Sequence, residues 1–187
     1  VRYFLMREVP FGNDGDFSNS QLINRVNSDL ANSYGNLFQR VVSMIYKNCN
    51  EEVPLKPSNY KIEDLFLINS IKDSIDDYRY LIDHQKFDQY LKNVWITISN
   101  ANKYVDEQAP WSLKKNDFSR MNDVLYNLLE TIRQISILLQ PFMPETSKLI
   151  LDHMKIEEED RYFKSIDKMY EGGIKISKPK PIFPRIV

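Results

Sequence analysis

Along most of the chain apolar residues recur at spacings of three and four, the mark of amphipathic helices. The first run carries Ile23, Val26, Leu30, Tyr34, Leu37, Val41 and Ile45 and predicts a helix from Ser18 to about Tyr46. Ser18 followed three residues later by Gln21 reads as a capping-box start, and Lys47, Asn48 and Asn50 suggest the stop. Pro54, Pro57 and Ser58 mark a loop. A second periodic segment holds Leu65, Ile68, Ile71, Ile75, Tyr78 and Ile82 and ends near His84. The third runs from about Lys86 to Tyr104, with Phe87, Leu91, Val94, Trp95, Ile98 and Ala101 inward. The fourth, from Asp117 to Leu139, presents Met121, Val124, Leu125, Leu128, Ile132, Ile135 and Leu139. Pro141 closes it, since proline cannot continue a helix interior. Pro144 then suits the first position of a short fifth helix through Leu149 and His153. Short connections make neighbours antiparallel. The predicted fold is all-α, an up-and-down bundle of about five helices.

The two ends fall outside that pattern. Residues 1–17, with Pro10-Phe11-Gly12 and Asn13-Asp14-Gly15, read as a helix end followed by turns. From Ile174 the chain alternates lysine, proline and apolar residues, with Pro179, Pro181 and Pro184. That stretch is too proline-rich for a helix and too apolar to lie wholly in water. It is expected to be an extended strap lying on something, a neighbour or the chain itself.

Composition narrows the function classes. The 187 residues are 42% hydrophobic and 27% charged, ordinary globular usage. Net charge is −1, so any hold on nucleic acid must come from a local site rather than a bulk positive field. A single cysteine, Cys49, rules out an internal disulfide framework and suits a reducing, cytoplasmic setting. No apolar run reaches the length of a membrane span and the N-terminus does not read as a signal peptide. His84, His153 and Cys49 lack the close spacing of metal ligands, and Glu157-Glu158-Glu159-Asp160 reads as a solvated face. No catalytic residue, metal or cofactor is expected in this chain.

Two features could carry recognition. Asn32, Asn36 and Arg40 fall within a stripe about 80° wide on the first helix, pointing away from its apolar ridge. Two carboxamides and a guanidinium offer donors and acceptors suited to base edges; an ordinary polar helix face would look the same. The second is Asp106-Glu107-Gln108-Ala109-Pro110-Trp111, read as a polar loop between the third and fourth helices. Its indole could plug the end of the bundle or serve as a platform on which single-stranded bases stack, with Pro110 stiffening the backbone.

Longer stretches carry a resemblance. Arg2-Tyr3-Phe4-Leu5-Met6-Arg7-Glu8-Val9-Pro10-Phe11-Gly12, followed by Asp14-Gly15-Asp16-Phe17-Ser18, resembles the segment leading methionyl-tRNA synthetases out of their nucleotide-binding catalytic domain. Arg25-Val26-Asn27-Ser28-Asp29-Leu30-Ala31-Asn32 and Gly35-Asn36-Leu37 resemble the start of that family's helical anticodon-binding bundle. Asn102-Lys103-Tyr104-Val105-Asp106-Glu107-Gln108-Ala109-Pro110-Trp111 is similar to its anticodon-loop platform, and Pro179-Lys180-Pro181-Ile182-Phe183-Pro184-Arg185 to its C-terminal strap. The matches run in the family's order from Arg2 to Arg185.

The resemblance implies a class I synthetase anticodon-binding bundle with an extended C-terminal strap. It divides the chain into the end of a catalytic or connective region (1–17), the helical anticodon-binding domain (18–155) and an extension packing back on the protein (156–187). It implies that Trp111, with Pro110 beside it, stacks on a base of the methionine anticodon CAU, mainly the wobble cytosine. Asn32, Asn36 and Arg40 would contact the anticodon bases. The implied partners are methionine tRNA and the catalytic domain of the same enzyme, with no membrane. The family's His-x-Gly-His-type and Lys-Met-Ser-Lys-Ser-type signatures are absent, since there is no Gly-His pair and Lys168-Met169 is followed by Tyr170. ATP and methionine are therefore expected to bind a catalytic fold upstream of Val1, and the chain alone to be inactive. The alternatives are the anticodon domain of a valyl- or isoleucyl-type enzyme and a helical protein-interaction module.

Overall fold

The structure is a computed structural model and describes residues 1–15 and 17–186; Asp16, quoted above in the segment around Gly15, and Val187 lie outside the described residues. The helices are α1 (Arg2–Glu8), α2 (Asn19–Arg25), α3 (Asn36–Asn48), α4 (Ile62–Asn69), α5 (Ile75–Asp83), α6 (Phe87–Gln108), α7 (Pro110–Asn116), α8 (Phe118–Leu139) and α9 (Pro144–His153). Among the described residues an isolated antiparallel bridge joins Glu52 to Lys175. The all-α bundle is as the periodicity predicts.

The first predicted helix is one continuous rod. Ser18 caps it, its Oγ accepting from the Gln21 N–H at 3.5 Å. Between α2 and α3, however, Val26–Gly35 winds as a π-helix, a form usually met as a single turn and often at functional sites. The last residue of this wide stretch, Gly35, has no room for a side chain. A Cβ there would stand 2.8 Å from the Leu30 carbonyl oxygen and 3.2 Å from the Phe183 ring.

The second predicted helix is instead two, α4 and α5. Ser70 turns its hydroxyl onto the Leu67 carbonyl at 2.7 Å, a local bond that competes with the helical ladder. The polar loop before Trp111 is also corrected. Helix α6 continues to Gln108, Ala109 turns the chain at φ 42°, and Pro110 starts α7 from its first position. Trp111 therefore stands on a short helix. Asp117 caps α8, accepting from the Arg120 N–H at 2.9 Å, and Pro144 opens α9.

Helix α8 is the axis of the molecule, packed by α3, α4, α6, α7 and α9. Met121, Val124, Leu125, Leu128, Ile132, Ile135 and Leu139 are all fully buried, each worth about 1.5–3 kcal/mol relative to exposure. Both chain ends join this core. Tyr3 of α1 packs on Trp95 of α6 with ring centroids 4.7 Å apart and donates to Asp29 at 2.6 Å. The C-terminal segment runs back over the bundle, exchanging backbone bonds with Val53: Val53 N to Ile174 O and Gly173 N to Val53 O, both 2.9 Å. Gly172, at φ 77°, passes so close that a Cβ would meet the Pro54 oxygen at 2.1 Å.

Candidate functional site

The rod and the α6–α7 corner bring Arg40 and Trp111 together across 71 positions of sequence. The Arg40 guanidinium lies 5.7 Å from the centroid of the Trp111 ring, within cation–π range, and one of its nitrogens donates to Asp106 Oδ1 at 2.7 Å. Trp111 is 46% exposed, so it does not plug the bundle. The Arg40–Asp106 pair is largely solvated and contributes little to stability; its effect is to hold the guanidinium against the ring. Among the described residues Arg40 spends one of its five N–H donors, on Asp106, which leaves the rest for a ligand. Pro110, which precedes Trp111 at the first position of α7, is buried.

Asn32 and Asn36, both exposed, line a groove of about 380 Å³ between the rod and the C-terminal strap. Gly35 forms part of its floor, and Phe183 and Arg185 of the strap form the far wall. Arg185 donates twice to Asn32 Oδ1, at 3.0 and 2.7 Å, which orients that carboxamide so that its NH₂ remains free for an acceptor. Ile186 is tied to Asn27 by two bonds of 2.9 Å. Of the five residues singled out from the sequence, Arg40 and Trp111 pack together, Asn32 and Asn36 share the strap groove, and Pro110 is buried at the start of α7.

A buried polar network lies under the corner. Asp64 of α4 is fully buried. It accepts from Arg120 Nη1 at 2.6 Å and Nη2 at 2.7 Å, from the Tyr104 hydroxyl at 2.6 Å and from the Lys61 N–H at 3.0 Å. Burial on its own pushes the carboxyl up, but the bonds from Arg120, Tyr104 and Lys61 outweigh it and hold Asp64 below the usual carboxylate range. As pH falls, the unfolded chain takes up this proton first. The stabilisation is therefore complete above the unfolded value of about 4 and is lost as pH drops through the folded value. Wild-type protein is expected to lose melting temperature from about pH 4 downward. Asp64→Asn should be less stable at neutral pH and show a flatter acid limb. Parallel melting curves for the two proteins between acid and neutral pH would contradict this assignment.

Other chemistry finds no support. Burial pushes the Cys49 thiol up to about 11, so it stays protonated and unreactive at neutral pH. Among the described residues no group of His, Cys, Asp or Glu is placed to hold a metal ion, and no helix is long and apolar enough to cross a membrane. The sequence reading did not single out Asp106, Gln108, Arg120 or Arg185 as site residues. The first two lie inside the Asp106–Trp111 stretch and were legible by adjacency. Arg120 and Arg185 reach the site only through the fold, and periodicity offers no signal for either.

Residues 53–187 match the family model described as the anticodon binding domain of methionyl tRNA ligase. Residues 1–42 match the model for class I tRNA synthetases (M). Similar proteins include a methionine–tRNA ligase of Rickettsia felis, 41% identical over 99% of this chain and 37% of its own length. Another, from Brucella suis, is 39% identical over 100% of this chain and 36% of its own length. The fold matches the crystal structure of the free Mycobacterium tuberculosis methionyl-tRNA synthetase with a TM-score of 0.94 at 36% identity, covering 100% of this chain and 38% of that one. The same enzyme bound by methionyl-adenylate gives 0.93, also at 36% identity, covering 98% of this chain and 37% of that one. The chain thus spans little more than a third of the length of these relatives.

Proposed function

We propose a function from one premise: the chain belongs to the methionyl-tRNA ligase family, as its anticodon-binding domain. It binds the anticodon loop of methionine tRNA and reads CAU, within a cytoplasmic ligase that joins methionine to that tRNA using ATP. ATP and methionine are handled by a catalytic domain outside these residues. Trp111 offers a ring for a base to stack on. Arg40 lies against that ring with free donors for base edges or backbone, and Asn32 and Asn36 present carboxamides along the adjoining groove. Pro110, buried at the first position of α7, stiffens the backbone that carries the indole.

The observation that carries this reading is the pairing of a half-exposed Trp111 with Arg40, delivered from two separate helices. A guanidinium beside an open aromatic face is the combination that sequence-reading of unstacked bases uses. The match to the methionyl family supports this reading over a valyl or isoleucyl one.

The two indoles make the test simple, because Trp95 is only 9% exposed while Trp111 is 46% exposed. Adding a stem-loop with a CAU anticodon should quench the intrinsic fluorescence, and a loop with a changed wobble base should quench it less at equal concentration. No quenching by a saturating CAU loop would overturn the proposal.

A further inference from the structure

Helix α6 ends at Gln108, and three residues later stands Trp111. Between them Ala109 holds φ 42°, ψ 59°, a left-handed conformation that side chains other than glycine adopt rarely. Helix α7 is only seven residues long and has no side-chain cap. The direction of the indole depends on what fixes this corner, together with the packing of α7 on α8. The backbone contributes Ala109 N to Val105 O at 3.0 Å and Ser112 N to Ala109 O at 2.8 Å.

Besides the Arg40–Asp106 pair, a side-chain bond from α8 anchors the last residue of α6. Gln108 Oε1 accepts from Arg120 Nη2 at 2.7 Å. Arg120 has no freedom to follow a moving partner, because the same nitrogen and its neighbour are locked on buried Asp64 at 2.7 and 2.6 Å. Asp64 is itself fixed by Tyr104 of α6 and the Lys61 backbone. We infer that Gln108 is a positioning residue for anticodon binding: its carbonyl, gripped by Arg120, fixes the α6–α7 corner and so holds Trp111 at the angle at which a base can stack.

This inference rests on the proposed role of Trp111 in RNA binding, so the test reads position and binding separately. The protein is labelled with 5-fluorotryptophan, which gives one fluorine resonance each for Trp95 and Trp111, the latter identified by its loss in Trp111→Ala. In Gln108→Met, which keeps side-chain length without the acceptor, the Trp111 resonance should shift or broaden while that of Trp95 stays put. Affinity for the CAU stem-loop should fall about tenfold, part of what losing one base–aromatic stack produces. Gln108→Glu restores the acceptor to Arg120 and should return both readings to near wild type. An unchanged Trp111 resonance in Gln108→Met, or no rescue by Gln108→Glu, would overturn the inference. So would movement of both resonances with a large drop in melting temperature, which marks a merely structural residue. If wild type fails to bind the loop, the RNA reading falls, and the fluorine spectra still decide whether Gln108 positions Trp111.

Discussion

Arg133→Met is expected to destabilise the chain by about 3–5 kcal/mol, the usual result of removing one partner from a buried ion pair. Arg133 and Glu130 are both almost fully inaccessible and meet in a bidentate contact at 2.8 and 2.7 Å. Arg133 also donates to the Ser165 and Ile166 carbonyls, at 3.3 and 3.0 Å, so it pins the returning C-terminal segment to α8. Without it, Glu130 keeps, among the described residues, only Gln134 at 3.1 Å and the Tyr170 N–H at 3.4 Å. At about 2–4 °C per kcal/mol for a chain of this size, the melting temperature should fall by roughly 6–20 °C.

The pH dependence of that variant has a definite sign. Burial pushes the Glu130 carboxyl above its usual range even against the pull of Arg133, and losing Arg133 raises it further. A raised carboxyl takes up its proton in the folded state first. The variant should therefore regain stability as pH falls from 7 toward the unfolded value of about 4.3. Glu130→Gln together with Arg133→Met should recover much of the loss at neutral pH, because no charge is then left buried. Thermal melts of the three proteins across that pH range check this. An Arg133→Met protein melting within a degree or two of wild type would show that the pair anchors nothing.

These two groups also show where sequence reading stops. The apolar ridge of α8 was legible from Met121 to Leu139 because its period is helical. Its other face carries Asn127, Glu130, Arg133 and Gln134, which by composition belongs in water. The fold covers Glu130 and Arg133 with a segment thirty and more residues downstream and sets Asn127 against Tyr104 of α6, and such long-range contacts leave no local periodic trace. The stripe Asn32, Asn36, Arg40 was legible for the opposite reason: it is local, on one helix, and its four-residue spacing survives even where the backbone widens into a π-helix. Trp111 stood out by composition, but its helix did not. Pro110 can mark a stiff loop or a helix start, and only the left-handed Ala109 decides between them. Arg185 on Asn32 spans 153 positions and lies beyond any local pattern.

Trp111→Ala has the second large effect, on binding rather than folding. Removing one base–aromatic stack should weaken the anticodon stem-loop complex by about 1–3 kcal/mol, roughly five- to 150-fold in Kd. The melting temperature should hardly move, since the indole is half exposed and the adjoining Arg40–Asp106 pair is a solvated one. Net charge near zero makes general phosphate attraction weak, so discrimination should rest on these few contacts. The decisive measurement is a set of four titrations at one fixed salt concentration: wild type and Trp111→Ala, each against a CAU stem-loop and one with a changed wobble base. Wild type should prefer CAU clearly, and Trp111→Ala should bind both loops weakly and nearly alike. Equal binding of both loops by wild type, or a CAU preference that survives intact in Trp111→Ala, would contradict the assignment of this face as the anticodon-reading site.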